Sequence, residues 1–158
     1  MASDIFAKIG DIKGESPDAK HKGEIEVLSF SWGVTNAANI GGGGAGAGRA
    51  TFHDLHFTHA IDKASPKLLQ ACATGAHLKE ATITRRKAGK GQLEYLIIKM
   101  NDIIVTSVSL GDSSGGAGSE NVSLAVAKID LEYKPQKADG SLEAGVHFKF
   151  DIKANKDG

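Results

Sequence analysis

Apolar and polar residues alternate along much of this chain with the two-residue period of β-strands. Short glycine-bearing or polar intervals separate these segments, which favours an antiparallel barrel or sandwich over βαβ units. We predict about eight strands, at Asp4–Gly10, Glu24–Gly33, Ala50–Ile61, Lys79–Arg86, Leu93–Met100, Ile103–Leu110, Glu120–Tyr133 and Val146–Ile152.

The parity of apolar residues changes within Glu24–Gly33. Ile25 and Val27 share one parity, whereas the later apolar residues share the other. Successive side chains of a strand point to opposite faces, so either both faces are covered at its start or a bulge near Val27–Leu28 exchanges them. We predict that the face from Leu28 onward packs into the core, and its members are Leu28, Phe30 and Trp32.

The other face of this strand carries small, uncharged residues. Ser29 and Ser31 alternate with the apolar side chains, and Gly33 follows them. A solvated outer face and a smooth surface for a partner both fit this pattern.

Two further strand boundaries follow from the pattern. Asn101–Asp102 is interpreted as a tight turn between two strands. In Glu120–Tyr133 the apolar parity shifts, which predicts a bulge near Ala127–Lys128.

One short helix is predicted over Pro66–Thr74. Ser65 is the expected N-cap, Pro66 fits the first helical position and Gly75 fits a left-handed residue past the end. Its predicted apolar stripe is Leu68, Leu69 and Cys72.

Two glycine-rich stretches, Asn36–Gly48 and Gly111–Ser119, are predicted to be mobile loops or loops that order against a neighbour. The first contains GxGxxG, but the strand-forming segment Arg49–Phe57 follows instead of the helix that dinucleotide binding needs. Arg49–Ala50 also replaces the Lys-Ser/Thr of a P-loop. We therefore assign no nucleotide site.

The chain has 158 residues, which fits one domain spanning 1–158. Nineteen basic and nineteen acidic residues give zero formal charge, which disfavours nucleic-acid binding and permits self-association. A single cysteine, Cys72, excludes an internal disulfide. Because neither a Sec-type signal nor an 18-residue apolar run is present, we expect a soluble protein of the cytoplasm without membrane insertion.

Histidines and basic residues offer the remaining candidate chemistry. His53, His56 and His59 have metal-like spacing, but on a strand His56 points away from the other two, so we interpret them as solvated or core histidines. The basic cluster Arg85–Lys87 with Lys90 is interpreted as a solvated strand end.

Taken together, the ordered segments resemble the haemolysin-coregulated protein family, Hcp, over nearly the whole chain. They include the glycine loop and the segments SDIFAKIGDIKGES, EIEVLSFSWG, LHFTHAIDKASPKLLQACATG, YLIIKMNDIIVTSVSLG and ENVSLAVAKIDLEYKPQKADG. The resemblance implies a mainly β, two-sheet antiparallel β-barrel with one short flanking α-helix, similar to phage tail-tube proteins. It also implies homo-hexameric rings that stack into the tube of a bacterial type VI secretion system. A contractile sheath drives such a tube, tipped by a spike protein, into a neighbouring cell, and secreted effectors are held inside the ring. Export without a cleaved signal is implied as well.

The resemblance and the strand pattern suggest roles for individual residues. We expect Ser29 and Ser31 to face the lumen and its cargo, and we expect no catalytic residue, metal or cofactor. The expected ring-stacking loop residues are Gly41, Gly42, Gly43, Gly44, Gly46, Gly48, Gly111, Asp112, Gly115, Gly116 and Gly118.

Two other functions stay open at this point. One is a monomeric β-barrel that binds sugar or peptide through its glycine loops, and light scattering would distinguish it from a ring. The other is a metal enzyme that uses the three histidines, which elemental analysis would test.

Overall fold

The structure is a computed structural model that describes residues 4–38, 48–89 and 91–158. These residues form ten strands and one helix. In chain order they are β1 Ile5–Ile9, β2 Ile25–Ser31, β3 Val34–Asn36, β4 Ala50–Phe52, β5 Leu55–Ala60, α1 Ser65–Thr74, β6 His77–Arg86, β7 Glu94–Gly111, β8 Ser119–Tyr133, β9 Val146–Asp151 and β10 Lys156–Asp157.

Six of the strands close into an antiparallel barrel. Their order is β8-β5-β2-β1-β6-β7, and pairing between β7 and β8 completes the circle. β9 and β10 extend the sheet from the second half of β8, while β3 and β4 form a separate two-stranded sheet. The prediction of a mainly β barrel with one short helix is confirmed.

The barrel interior is filled by alternate side chains of its strands, and α1 closes one side by packing on β7. Leu68 of α1 is fully buried, but Leu69 is exposed. The apolar face that α1 packs on the barrel is therefore narrower than predicted, because it does not include Leu69. Gly75 has φ 66°, and backbone bonds from Gly75 and Ala76 to the last turn end the helix as predicted. Ser65 is not a side-chain cap, because its Oγ accepts a bond from Asp62 N at 3.1 Å.

The predicted bulge in β2 is confirmed, since the register with β5 shifts between Val27 and Ser29. Its consequence differs from the prediction. Leu28 is the extra residue of the bulge and its side chain is 63% exposed, so the placement of Leu28 in the core was wrong. Phe30 and Trp32 are partly buried against the core.

The predicted turn at Asn101–Asp102 is wrong, because β7 runs through it without a break. Asp102 has φ 54°, and the positions Asp102 and Ala127 are skipped while pairing of β7 with β8 resumes in the same register. On both strands the buried side chains pass from even-numbered to odd-numbered positions here. The parity shift predicted near Ala127–Lys128 is therefore real, but it is a shared kink rather than a bulge. The bulge between these strands lies at Val105–Ser107.

Two other segments differ from the pattern. Ala50–Ile61 is divided, because Ala50–Phe52 pairs with β3 whereas Leu55–Ala60 belongs to the barrel. In the final strand, Val146 and Phe148 alternate with polar residues, which predicts a half-buried strand, but both are exposed on β9.

The interpretation of the basic cluster as a solvated strand end is wrong for Arg86. Lys90 lies outside the described residues. Arg86 is buried, and its two terminal nitrogens donate to both oxygens of Asp18 at 3.0 and 2.6 Å. Its guanidinium also lies 4.7 Å from the centre of the Phe6 ring. Arg86 therefore ties the loop before β2 to the barrel.

Asp18 makes this attachment sensitive to acid. The Arg86 guanidinium that bonds to it lowers the pKa of Asp18 to about 2 from an ordinary 3.8. A lowered pKa stabilises the fold above pH 3.8, and that contribution is lost as the pH falls towards about 2. We expect the difference in urea midpoint between wild type and Asp18→Asn to shrink over this interval. Asp157→Asn, at an exposed site, is the control and should show no such change.

Candidate lumen face and loops

The outward face of four neighbouring barrel strands carries a continuous band of neutral polar side chains, here called the neutral face. Ser29 and Ser31 begin it on β2, where they stand opposite Thr58 and His56 of β5. The register carries the band across β8 to β7. Its residues are Ser29, Ser31, His56, Thr58, Ser107, Ser109, Asn121 and Ser123.

Hydrogen bonds within the neutral face hold its side chains in place. Thr58 Oγ1 donates to Asn121 Oδ1 at 2.7 Å, and His56 Nδ1 lies 2.6 Å from Ser123 Oγ. None of the paired positions of the band is Lys, Arg, Asp or Glu. The surface therefore offers hydroxyl and amide groups without fixed carboxylates or ammonium groups.

Alternation on the same strands explains why this face points outward. Leu55 and Phe57 of β5, and Val122 and Leu124 of β8, are all buried in the barrel. Their neighbours in sequence must point the other way. Leu28 is the exception, since the β2 bulge places an exposed apolar side chain beside Ser29.

The first glycine loop lies between β3 and β4. Gly41, Gly42, Gly43, Gly44 and Gly46 lie outside the described residues. Gly48 is described, and a Cβ atom there would collide with the carbonyl oxygen of Ala37. Glycine at this position thus allows the two ends of the loop to approach closely.

The second glycine loop joins β7 to β8. Gly118 is held against the end of β5, because its carbonyl accepts a bond from Ile61 N at 3.2 Å. A Cβ on Gly118 would lie 2.6 Å from Ile61 Cδ1, so glycine permits this contact. The rest of the loop is exposed, including Gly111, Asp112, Gly115 and Gly116. Its base is fixed by these contacts while its tip is accessible.

A buried charged pair lies where β5 and β8 approach this loop. His59 Nε2 is 2.7 Å from Glu120 Oε1, and both side chains are inaccessible to solvent. His59 Nδ1 is 3.7 Å from Asp62 Oδ1, too far for a hydrogen bond but close enough for attraction. Burial lowers the pKa of His59, but the carboxylates of Asp62 and Glu120 outweigh it and raise that pKa above 6.5.

The three candidate metal-binding histidines do not converge. His56 points to the neutral face, His59 is buried in its ion pair, and His53 lies between β4 and β5. Among residues 4–38, 48–89 and 91–158, no group of three or more His, Cys, Asp or Glu could hold a metal ion.

Sequence reasoning found Ser29 and Ser31 but missed the other members of the neutral face. The alternation of Thr58 with Phe57 and of Asn121 with Val122 was a usable signal. The register that places these residues side by side cannot be predicted from the sequence of any one strand.

The fold matches proteins of one class. A solved structure described as a type six secretion system protein superposes with a TM-score of 0.92 and 28% sequence identity, covering 99% of this chain and 100% of that one. The architecture is thus that of a type VI secretion component.

Sequence comparisons narrow the class. The family described as "Type VI secretion system effector, Hcp" matches residues 6–133. Protein hcp1 of Pseudomonas aeruginosa is 47% identical over 159 residues, covering 98% of each chain. The crystal structure of Hcp1 from Salmonella typhimurium has a TM-score of 0.80 and 39% identity over the whole of both chains. The chain belongs to the Hcp family of the type VI secretion system.

Within the described part of the chain, no helix has the length and apolar character required to cross a membrane.

Proposed function

We propose that this chain is a structural subunit of the type VI secretion tube, acting as one domain without catalysis. Six copies form a ring, and rings stack into the tube. The tube starts in the bacterial cytoplasm and is exported without a cleaved signal, driven by a contractile sheath and tipped by a spike protein. Nucleic-acid binding and membrane insertion are not part of this proposal. Membership of the Hcp family and the neutral face support it.

The neutral face is the observation that carries the proposal, and we assign it to the lumen. A wall of hydroxyl and amide groups can form hydrogen bonds with many partners, yet it holds no fixed charge that would retain or repel them strongly. Such a wall suits varied secreted effectors that must be held and then released. Ser29 and Ser31 lie at its β2 edge.

We assign the two glycine loops to contacts between stacked rings. The second loop presents exposed residues at its tip on a base fixed by Gly118, so it can meet a neighbour without disturbing the barrel. The first loop connects β3 to β4 in the sequence, and these two strands form a small sheet separate from the closed barrel. Ordering such glycine-rich segments costs backbone entropy, which keeps stacking reversible.

Electron microscopy of the purified protein tests the assembly directly. We expect rings with a central opening and sixfold symmetry. Single protomers at micromolar concentration, confirmed by light scattering, would contradict the proposal.

Substitution at Ser31 tests the assignment of the neutral face. We expect Ser31→Tyr to leave rings intact but to reduce co-purified effector about tenfold, equivalent to about 1.4 kcal/mol, because a large side chain fills space at the wall. The measurement is effector recovered per ring after affinity purification.

Ala138→Tyr is the control, since Ala138 is exposed on the connection between β8 and β9, away from the neutral face. It should retain normal cargo. If Ser31→Tyr abolishes rings, Ser31 lies at a subunit contact or in the core instead.

A further inference from the structure

An exposed apolar surface runs from the second half of β8 to the small sheet. We call it the aromatic patch, and it consists of Trp32, Val34, Phe52, Tyr133, Val146 and Phe148. Four of these residues, Val34, Tyr133, Val146 and Phe148, are among the large hydrophobic side chains that the described protomer leaves exposed. Clustered exposed apolar residues mark interaction sites, whereas single ones do not.

Strand register and contacts between aromatic side chains show that the patch is continuous. Val146 stands opposite Tyr133 in the pairing of β9 with β8, and Phe148 follows on the same face of β9. The Phe148 ring lies 6.2 Å from that of Trp32 and 6.5 Å from that of Phe52. Phe52 in turn pairs with Val34 across the small sheet.

The opposite face of β9 is polar, so the patch is one-sided. His147 Nδ1 is 2.8 Å from Asp130 Oδ1, and His147 Nε2 is 3.2 Å from Glu132 Oε2. These groups satisfy one another within the protomer. An occupant of the aromatic patch therefore meets apolar side chains rather than charges.

The backbone beside the patch is also incompletely paired. β10 covers the outer edge of β9 only at Phe150 and Asp151, and Gly158 N donates to Lys149 O. From Val146 to Phe148 the outer edge of β9 has no backbone partner among the described residues. An open edge next to an apolar face can pair with another strand.

We propose that the aromatic patch and the adjoining edge of β9 contact the neighbouring copy of this chain within the ring. This inference rests on the proposed function. Zero net charge permits identical copies to approach without repulsion, and the patch has the aromatic, uncharged composition of an interface core. A closed ring needs a heterologous contact, so the patch meets a different surface of the next protomer.

Val146→Glu is the decisive variant. Val146 is 65% exposed in the protomer, so the change should leave the protomer folded. Within the ring it buries a carboxylate without a partner. We expect folded monomers in place of rings by analytical ultracentrifugation, with the circular dichroism spectrum of the wild type retained and a cooperative thermal unfolding transition.

Leu28→Glu is the matched control, because Leu28 is 63% exposed but lies beside the neutral face. Its rings should persist. Tyr133→Glu, a second variant within the patch, should behave like Val146→Glu.

The possible outcomes distinguish failure of the proposed ring from failure of the surface assigned to its subunit contact. Wild-type protein that sediments as a monomer overturns the ring and this inference with it. Wild-type rings that persist in Val146→Glu and Tyr133→Glu overturn only the assigned surface and show that the patch faces another partner. Equal loss of rings in Leu28→Glu also overturns the inference, because the effect is then not specific to the patch.

Discussion

Replacing His59 with leucine is expected to lower the free energy of unfolding by about 3–5 kcal/mol. The reason is the carboxylate that remains. Glu120 has a side-chain exposure of 0% and its Oε1 lies 2.7 Å from His59 Nε2, so removing the imidazole leaves a buried acid without its partner. Urea unfolding followed by fluorescence of Trp32, the only tryptophan, measures the loss. Protein concentration is held constant because association adds to apparent stability.

The double variant His59→Leu/Glu120→Met is the control. It replaces both members of the pair with apolar side chains, which is often neutral or stabilising, so most of the lost stability should return. A double variant as unstable as His59→Leu would mean that the cost comes from packing and not from the unpaired acid.

The same pair gives the fold a dependence on pH. The pKa of His59 is raised above 6.5 in the folded chain, so its contribution is complete below pH 6.5 and is lost as pH rises through the folded pKa. Wild type should therefore lose stability on this alkaline side, while the double variant, which lacks the group, should not. The second glycine loop begins beside this pair and should loosen first.

Ile25→Ala is expected to cost about 2–5 kcal/mol, whereas Leu28→Ala should change stability by no more than about 0.5 kcal/mol. The two aliphatic residues lie three positions apart on β2. Ile25 is fully buried, but the bulge turns Leu28 out of the barrel. Urea midpoints of the two variants measure the difference.

This comparison tests the bulge itself. If Leu28→Ala proves as costly as Ile25→Ala, then Leu28 is covered in the assembled ring or packs in the core. Repeating the measurement on the monomeric Val146→Glu background separates these explanations, since only a core position would remain costly there.

Features set by neighbouring residues were predictable from the sequence. The parity change at Val27–Leu28 located the bulge, and Gly75 marked the end of α1, because both depend on local geometry. The identity of the outward residue at the bulge was not predictable. Pairing with β5, not the pattern of β2, decides that Leu28 is the extra residue.

Features set by distant residues were missed. Asn101–Asp102 has the composition of a turn, but pairing with β6 and β8 resumes in the same register on both sides of Asp102, so β7 continues through it. Arg86 lies in a basic run typical of a surface, and its burial depends on contacts with Asp18 and Phe6, which are distant in the sequence.

The members of the neutral face also differ in whether the sequence could predict them. Ser29 and Ser31 follow from alternation within one strand, whereas their neighbours Thr58 and Asn121 join them only through register. The aromatic patch had a visible signal, the alternation of Val146 and Phe148 on β9. The sequence could not show that this apolar side stays outside the barrel.

The two halves of β8 contact different parts of the molecule. Its first half pairs with β5 under the neutral face, and its second half pairs with β9 under the aromatic patch. β7 accompanies it along nearly its whole length. In the proposed tube, force applied at the lumen wall would therefore reach the contact between neighbouring subunits through a single strand that backbone hydrogen bonds hold on both sides.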